Sequence, residues 1–213
     1  MEEKACRRLN EAFFKWITCE EPFVLLKLAM TLDGRIATEN GNSQWITGPA
    51  ARQRVQELRR WADAVMVGGE TFRVDSPRLT VRDSEGNEVK RPLRFVASRS
   101  METCPPGWEK ISLDGRDAWK RFLKELGKRP VLSLLLEGGG GLAASALNAG
   151  AVDRIEFHYA PKILGGTRSR PGVGGYSPAL LEEAFRIEEM ELMPIGGDFA
   201  VTGLVRMPEK RGC

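Results

Sequence analysis

The chain has 213 residues, 42% of them apolar, which is enough to bury one large core and makes two small domains the less natural division. Its 32 Lys and Arg are interspersed with 29 Asp and Glu, so the small net charge of +3 excludes the basic footprint of a nucleic-acid binder, yet suits small anionic ligands where a few arginines converge. One histidine, four scattered cysteines (Cys6, Cys19, Cys104 and Cys213) with no CxxC pair, and no apolar stretch of bilayer length argue against a metal site, a disulfide framework and a membrane span, and predict a cytoplasmic protein with reduced thiols.

Leu9, Phe13, Phe14 and Trp16 recur at roughly helical spacing and predict an N-terminal helix that lays an apolar face on the rest of the protein. After Glu20, Glu21 and Pro22, the run FVLLKLAM from Phe23 to Met30 reads as a buried strand with Lys27 as its one charge. Either Lys27 reaches out from a strand edge, which the residues alone favour, or it points into a polar site. Asp33-Gly34 is a turn signal, and NGNSQW is a second polar loop. Thr47 is placed to cap a helix from about Pro49 to Ala62, with Val55, Leu58 and Ala62 on one face. Arg52, Arg54, Arg59 and Arg60 lie around its other faces, where a solvated surface is expected. Ala64 to Val67 is a short strand ending in Gly68-Gly69, and ETFRVDSPRLTVR follows as a loop dense in Thr71, Asp75, Arg78 and Arg82. Polar residues so crowded outside a periodic element suggest a site.

Leu93 to Ser98 predicts another strand, Ile111 to Leu113 a further one, and Trp119, Phe122, Leu123 and Leu126 mark a helix. That helix leads into VLSLLLEGGGGLAASAL, Val131 to Leu147: a strand, one acid (Glu137), four glycines and a helix. Glycines there permit close backbone approach, and a helix N-terminus offers unpaired N–H groups and a positive dipole end to a phosphate or dinucleotide. The alternative is a tight turn without a ligand. Ala151 to Ala160 reads as a strand carrying Ile155, Phe157 and Tyr159 on one face and His158, taken as a satisfied sheet residue, on the other. KILGGTRSRPGVGGYSP is a loop that is either mobile or folded over a ligand, and two final strands meet around Pro194, Gly196 and Gly197. Strands alternating with about four helices and closing on a hairpin predict an α/β domain with a mostly parallel sheet and an antiparallel edge.

Gly138-x-Gly140-x-x-Ala143 matches the Rossmann pattern only because four glycines are consecutive, and the acid expected about 20 residues on is missing from its strand end, since Glu156 falls inside the strand. GxxxxGK[ST] and GxSxG are absent, which excludes P-loop hydrolysis and a hydrolase elbow. What remains is a turn for a pyrophosphate beside a cluster of Trp45, Arg59, Asp75 and Arg82 suited to a phosphorylated substrate. That equipment fits binding plus hydride transfer with little acid–base machinery.

Together KLAMTLDGRIAT, SQWITGPAAR, MVGGETFRVDSPRLTVR, LLLEGGGG and VDRIEFHYAPKILGG resemble the reductase domain of the riboflavin-biosynthesis deaminase/reductase family, from about Pro22 to Arg206. The resemblance implies a dihydrofolate-reductase-like α/β fold, with a mostly parallel central sheet, helices on both faces and an antiparallel C-terminal hairpin. It implies that residues 22–213 form an NADPH-dependent pyrimidine reductase converting a ribosylamino to a ribitylamino group. CRRLNEAFFKWI is similar to the segment closing the family's deaminase domain, so residues 1–21 are expected to be a linker helix. The zinc deaminase signature, H-x-E with P-C-x-x-C, is absent, so deamination is left to a separate deaminase or a missing half.

By the same resemblance, Met30, Ser43, Trp45, Arg59, Asp75, Leu79, Arg82 and Glu137 contact substrate, with both arginines near its phosphate. Trp45, Thr71, Asp75, Ser98, Gly139, Gly140, Gly141, Leu142, Ala143, Ala144 and Ser145 belong to the NADPH site, and Lys27 and Asp75 manage the proton. The expected substrate is the deaminated uracil form. Alternatives are the 2,5-diamino pyrimidinone taken before deamination, dihydrofolate reduction, which the phosphate-binding arginines oppose, or a non-catalytic NADP-binding subunit partnering a deaminase. A homodimer is expected, with the apolar C-terminal strands supplying its contact.

Overall fold

The computed structural model describes residues 2–83, 85–175 and 177–208, so Cys213 and Tyr176 of the glycine-rich loop lie outside the described residues. In chain order the elements are α1 (Glu2–Leu9), α2 (Glu11–Cys19), β1 (Phe23–Thr31), β2 (Arg35–Ala37), α3 (Pro49–Trp61), β3 (Ala64–Gly68) and α4 (Gly69–Asp75). Next come β4 (Val81–Arg82), β5 (Glu88–Lys90), β6 (Leu93–Ala97), β7 (Glu109–Ile111), α5 (Gly115–Gly127), β8 (Ser133–Glu137) and α6 (Gly140–Ala149). The chain ends with β9 (Arg154–Ala160), β10 (Arg170–Pro171), a 3-10 turn at Leu181–Glu183, β11 (Arg186–Ile195) and β12 (Asp198–Arg206).

Eight strands form one sheet in the order β11-β12-β9-β1-β8-β3-β6-β7. The six from β9 to β7 run parallel, and β12 and β11 add an antiparallel edge. The apolar runs of β1, β3 and β8 read as unbroken hydrophobic stretches because both of their faces are covered. On one face α5 and α6 press Trp119, Phe122, Leu126, Ala143 and Leu147 onto Leu26, Leu28, Met66 and Leu136. On the other, α3 covers Leu25, Val65, Val67 and Leu135 with Leu58 and Ala62. Side chains alternate along a strand, so Lys27 and Glu137, two residues beyond Leu25 and Leu135, fall on the α3 face.

The fold has the expected mostly parallel sheet, helices on both faces and C-terminal hairpin, and differs in detail. The N-terminal helix is broken at Asn10 into α1 and α2. The second of these is anchored by Lys15 on Asp153 (2.6 Å), by the Trp16 indole on the Gly127 carbonyl (3.0 Å) and by Glu11, which accepts from Arg154. Gly48, not Thr47, stands at the cap of α3, its N–H donating to Asp198 Oδ2 (2.6 Å). The expected 70–82 loop begins as helix α4. Seven residues are too few for a hydrophobic period to show in the sequence. The 162–175 segment is tied down: Leu164 and Gly165 N–H groups donate to Asp33, and those of Gly172 and Gly174 donate to the carbonyls of Gly34 and Gly140. No described helix is long and apolar enough to cross a membrane, and no group of described side chains is arranged to hold a metal ion.

Candidate active site

The C-terminal ends of β1, β3, β6 and β8 open into a cleft of about 1240 Å³ roofed in part by α3, α4 and the 170–174 strap. In parallel sheets this is where ligands settle, because strand ends, glycine turns and helix N-termini converge there. Gly139 caps α6 without any side-chain hydrogen bond, so no side chain competes for the first N–H groups of that helix. None of the four glycines has a positive φ, and close approach requires a glycine at Gly138 and Gly140. A Cβ on Gly140 would stand 2.5 Å from the Pro171 carbonyl and 3.0 Å from Gly174 N, and one on Gly138 would stand 2.6 Å from Leu142 Cδ2. A Cβ on Gly141 would meet nothing within 4 Å, because that glycine faces the cleft.

Beside this turn lies a polar row. Parallel pairing sets Lys27 directly across from Glu137 on β8 and from Glu156 on β9. Arg59 of α3 grips Glu137 with two hydrogen bonds, Nε to Oε1 at 2.5 Å and Nη2 to Oε2 at 2.8 Å. Such fork-to-carboxylate contacts are strong and fix both groups. Among the described residues Lys27 makes no hydrogen bond or ion pair, and burial holds its ammonium below the ordinary 10.5 against the upward pull of Glu137 and Glu156. Lys27 lies on an interior strand and lines the cleft, so the strand-edge alternative is not what the fold contains.

Lys27, Ser43, Trp45, Arg59, Thr71, Asp75, Leu79, Arg82, Ser98, Glu137, Gly139, Gly140, Gly141, Leu142 and Ser145 all line this cleft. Met30, Ala143 and Ala144 do not. Met30 is 4% exposed, and its Sδ lies 2.9 Å from where Gly172 would carry a Cβ; Ala143 and Ala144 are packed in α6. Trp45 is 65% exposed, with the Arg52 guanidinium 4.7 Å from its ring centroid. Leu79 holds a left-handed backbone (φ 51°) and is 2% exposed, its side chain in the small core under α3. Non-glycine residues rarely hold that conformation, and they cluster at functional sites. Ser145 accepts the Trp119 indole N–H (2.9 Å), and Ser98 Oγ fills the space a side chain at Gly69 would need.

Sequence reasoning missed three things. Arg52 stacks on Trp45, Arg170 pairs with Glu70 at the cleft rim, and Arg54 turns inward onto Glu156 instead of facing solvent. The available signal was helical spacing: Arg54 with Leu58, and Val55 with Arg59, are each four apart, so both arginines flank the apolar stripe.

A family profile described as "RibD C-terminal domain" matches residues 22–201. The riboflavin biosynthesis protein RibD of Actinobacillus pleuropneumoniae is 33% identical over 97% of this chain and 63% of its own length. Among solved structures, RibD of Acinetobacter baumannii superimposes with a TM-score of 0.83 at 25% identity, covering 96% of this chain and 64% of that one. A Thermotoga maritima protein, described as a diaminohydroxyphosphoribosylaminopyrimidine deaminase/5-amino-6-(5-phosphoribosylamino)uracil reductase, superimposes at 0.77 with 30% identity, covering 96% and 62%. The chain thus spans less than two thirds of the length of these relatives.

Proposed function

The chain belongs to the RibD C-terminal domain family, and from that premise we propose that it is a reductase of riboflavin biosynthesis. Its reaction is the NADPH-dependent reduction of the ribosylamino group of 5-amino-6-(5-phosphoribosylamino)uracil to the ribitylamino form. The observation that carries this reading is a single cleft joining an uncapped, glycine-lined helix N-terminus to a row of Lys27, Glu137 and Arg59. The first suits a dinucleotide pyrophosphate, and the second suits a phosphorylated, polar substrate.

The residues present fit the cofactor. Gly139, Gly140 and Gly141 line the cleft with backbone alone, Leu142 adds an apolar side chain, and Gly141 leaves open space where a Cβ would intrude. Thr71, Ser98 and Ser145 add hydroxyls along the same wall. When bound, NADPH supplies the hydride for the former anomeric carbon. Arg59 and Arg82 anchor the substrate phosphate, Glu137 accepts from the substrate, and Trp45 flanks the reacting centre from the open side. Lys27 Nζ gives a proton to the ribose ring oxygen as the N-glycoside opens to the imine, with Asp75 on the cleft wall as the second proton-handling group. Holding the two reactants in one orientation supplies most of the rate.

The deaminated substrate requires a deaminase acting first, and α1 and α2 are read as the connection to such a domain. A homodimer built on β11, which exposes Met190 and Leu192, completes the assembly, in a cytoplasmic setting. The test is a steady-state assay with NADPH or NADH and either the deaminated or the diamino pyrimidine ribosylamine phosphate. NADPH oxidation that depends on the deaminated compound is expected. Oxidation only with the diamino compound would move the enzyme ahead of deamination, and none with either would leave a binding subunit.

A further inference from the structure

Behind the cleft lies a second charged set that the proposed reaction does not use. Arg54 of α3 forks onto Glu156 of β9, Nε to Oε1 at 2.9 Å and Nη2 to Oε2 at 3.0 Å, while Glu57 holds its remaining nitrogen at 2.9 Å. His158, fully buried on the same strand, meets Glu156 Oε1 through Nε2 at 2.9 Å, and its Nδ1 has no partner among the described residues. An ionised carboxylate only accepts, so the His158 proton sits on Nε2. None of the three lines the cleft, yet Glu156 is the direct cross-strand neighbour of Lys27.

Side chains paired across parallel strands stand on the same face, so an unrestrained Glu156 would be the natural counterion of Lys27. The structure gives Glu156 to Arg54 and His158 instead, just as Glu137 on the opposite side is given to Arg59. We propose that Arg54, Glu156 and His158 form a positioning unit that keeps Glu156 off Lys27 and leaves the Lys27 amine unpaired and directed into the cleft. The unit acts through charge: Glu137 is matched by Arg59 and Glu156 by Arg54, so among the described residues the ammonium of Lys27 has no ion-pair partner between its two strand neighbours. Burial alone would raise the Glu156 carboxyl, but the hydrogen bonds from His158 and Arg54 hold it well below the usual carboxylate range, so it remains an anion. The groups facing Lys27 are Glu137 from β8, Glu156 and His158 from β9, Arg54 and Arg59 from α3, and across the cleft Asp75 and Arg82.

A structural ion pair and a positioning unit predict different outcomes. If the pair only holds α3 to the sheet, breaking it from either end has the same sense of effect. If it sets the field at Lys27, the two ends act oppositely. The measurement is the titration of the Lys27 side chain in full-length protein labelled with [13Cε]lysine, its resonance assigned from Lys27→Met. Glu156→Gln removes an anion and is expected to lower the Lys27 midpoint by about 1 pH unit, whereas Arg54→Met frees that anion and raises it by a similar amount. Arg54→Met/Glu156→Gln removes both charges and returns the midpoint close to wild type. His158→Gln keeps a donor and leaves the midpoint in place, while His158→Leu shifts it upward. Should Arg54→Met not fold, Arg54→Lys, which keeps a charge but loses the fork, supplies the same arm with a smaller upward shift.

Midpoints moving in the same direction in both single variants, or in neither, overturn the proposal. The consequence for turnover rests on the proposed reductase reading: the kcat–pH limb tracks the midpoints while KM for the pyrimidine stays constant. Opposite NMR shifts in a protein that reduces no pyrimidine would remove that reaction and leave the positioning unit standing.

Discussion

Replacing Lys27 with methionine removes the charge while keeping the length of the chain, so it isolates the proton from the shape of the cleft. The expected result is a kcat lower by about 10²–10⁴, the usual range for general acid–base contributions, with NADPH affinity unchanged by titration. Burial already holds Lys27 below the ordinary value, and in the proposed reaction the protonated amine is the working form. Activity therefore falls as pH rises through that lowered pKa, and the alkaline limb disappears in Lys27→Met. The oddity of a lysine inside FVLLKLAM is legible in the sequence, because a lone charge in a buried strand stands out. Its two neighbours are not legible: Glu137 is 110 positions away and Glu156 129, and only the strand order β9-β1-β8 makes them adjacent. His158, the one histidine, gives a second test. Burial lowers it from 6.5 despite the Glu156 hydrogen bond, so the folded state resists its protonation. The unfolded chain then binds the extra proton first, and stability drops as pH falls below 6.5 toward the folded pKa. Chemical denaturation at pH 7 and pH 5 should show this loss, and His158→Gln should reduce it.

At the scale of elements, the turn between β8 and α6 makes two kinds of demand on its glycines. Gly140→Ala drives a methyl group into the Pro171 carbonyl and Gly174 N, so the strap must move, and a loss of about 1–3 kcal/mol in thermal or denaturant unfolding is expected. Gly141→Ala meets no protein atom and should leave stability nearly unchanged while weakening NADPH binding in a fluorescence titration. Equal stability losses at both positions would show that Gly141 packs against protein instead of facing the cleft. The strand, glycines and helix of this unit could be read from the chain because a branched apolar run, punctuation and small helix formers are local signals. Helix α3 is harder to read for the complementary reason: Arg54 resembles part of a solvated surface until Glu156 of β9, brought in by non-local pairing, turns it inward.

For the whole molecule, strand order explains why the glycine turn and the Lys27 row share one cleft. The chain places β1, then β3, β6 and β7 to one side, returns to insert β8 beside β1, and then adds β9 on the other side. The glycine turn thus arrives at the centre of the sheet, next to the Lys27 row. Composition and the alternation of strands with helices are enough to infer the α/β class, but not the insertion of β8, which depends on contacts far apart in sequence. At the outer edge, β11 leaves Met190 and Leu192 exposed; sedimentation should find a dimer that Met190→Lys/Leu192→Lys converts to monomers. In the proposed reaction this cleft carries hydride from a nicotinamide to the sugar carbon of a phosphorylated pyrimidine ribosylamine. Turnover of the deaminated substrate with NADPH deuterated at C4 of the nicotinamide, on the transferred face, tests it directly. One deuterium at C1′ of the ribityl chain, detected by mass and NMR, is expected; oxidation of the cofactor with no deuterium at that carbon would overturn the proposed reaction.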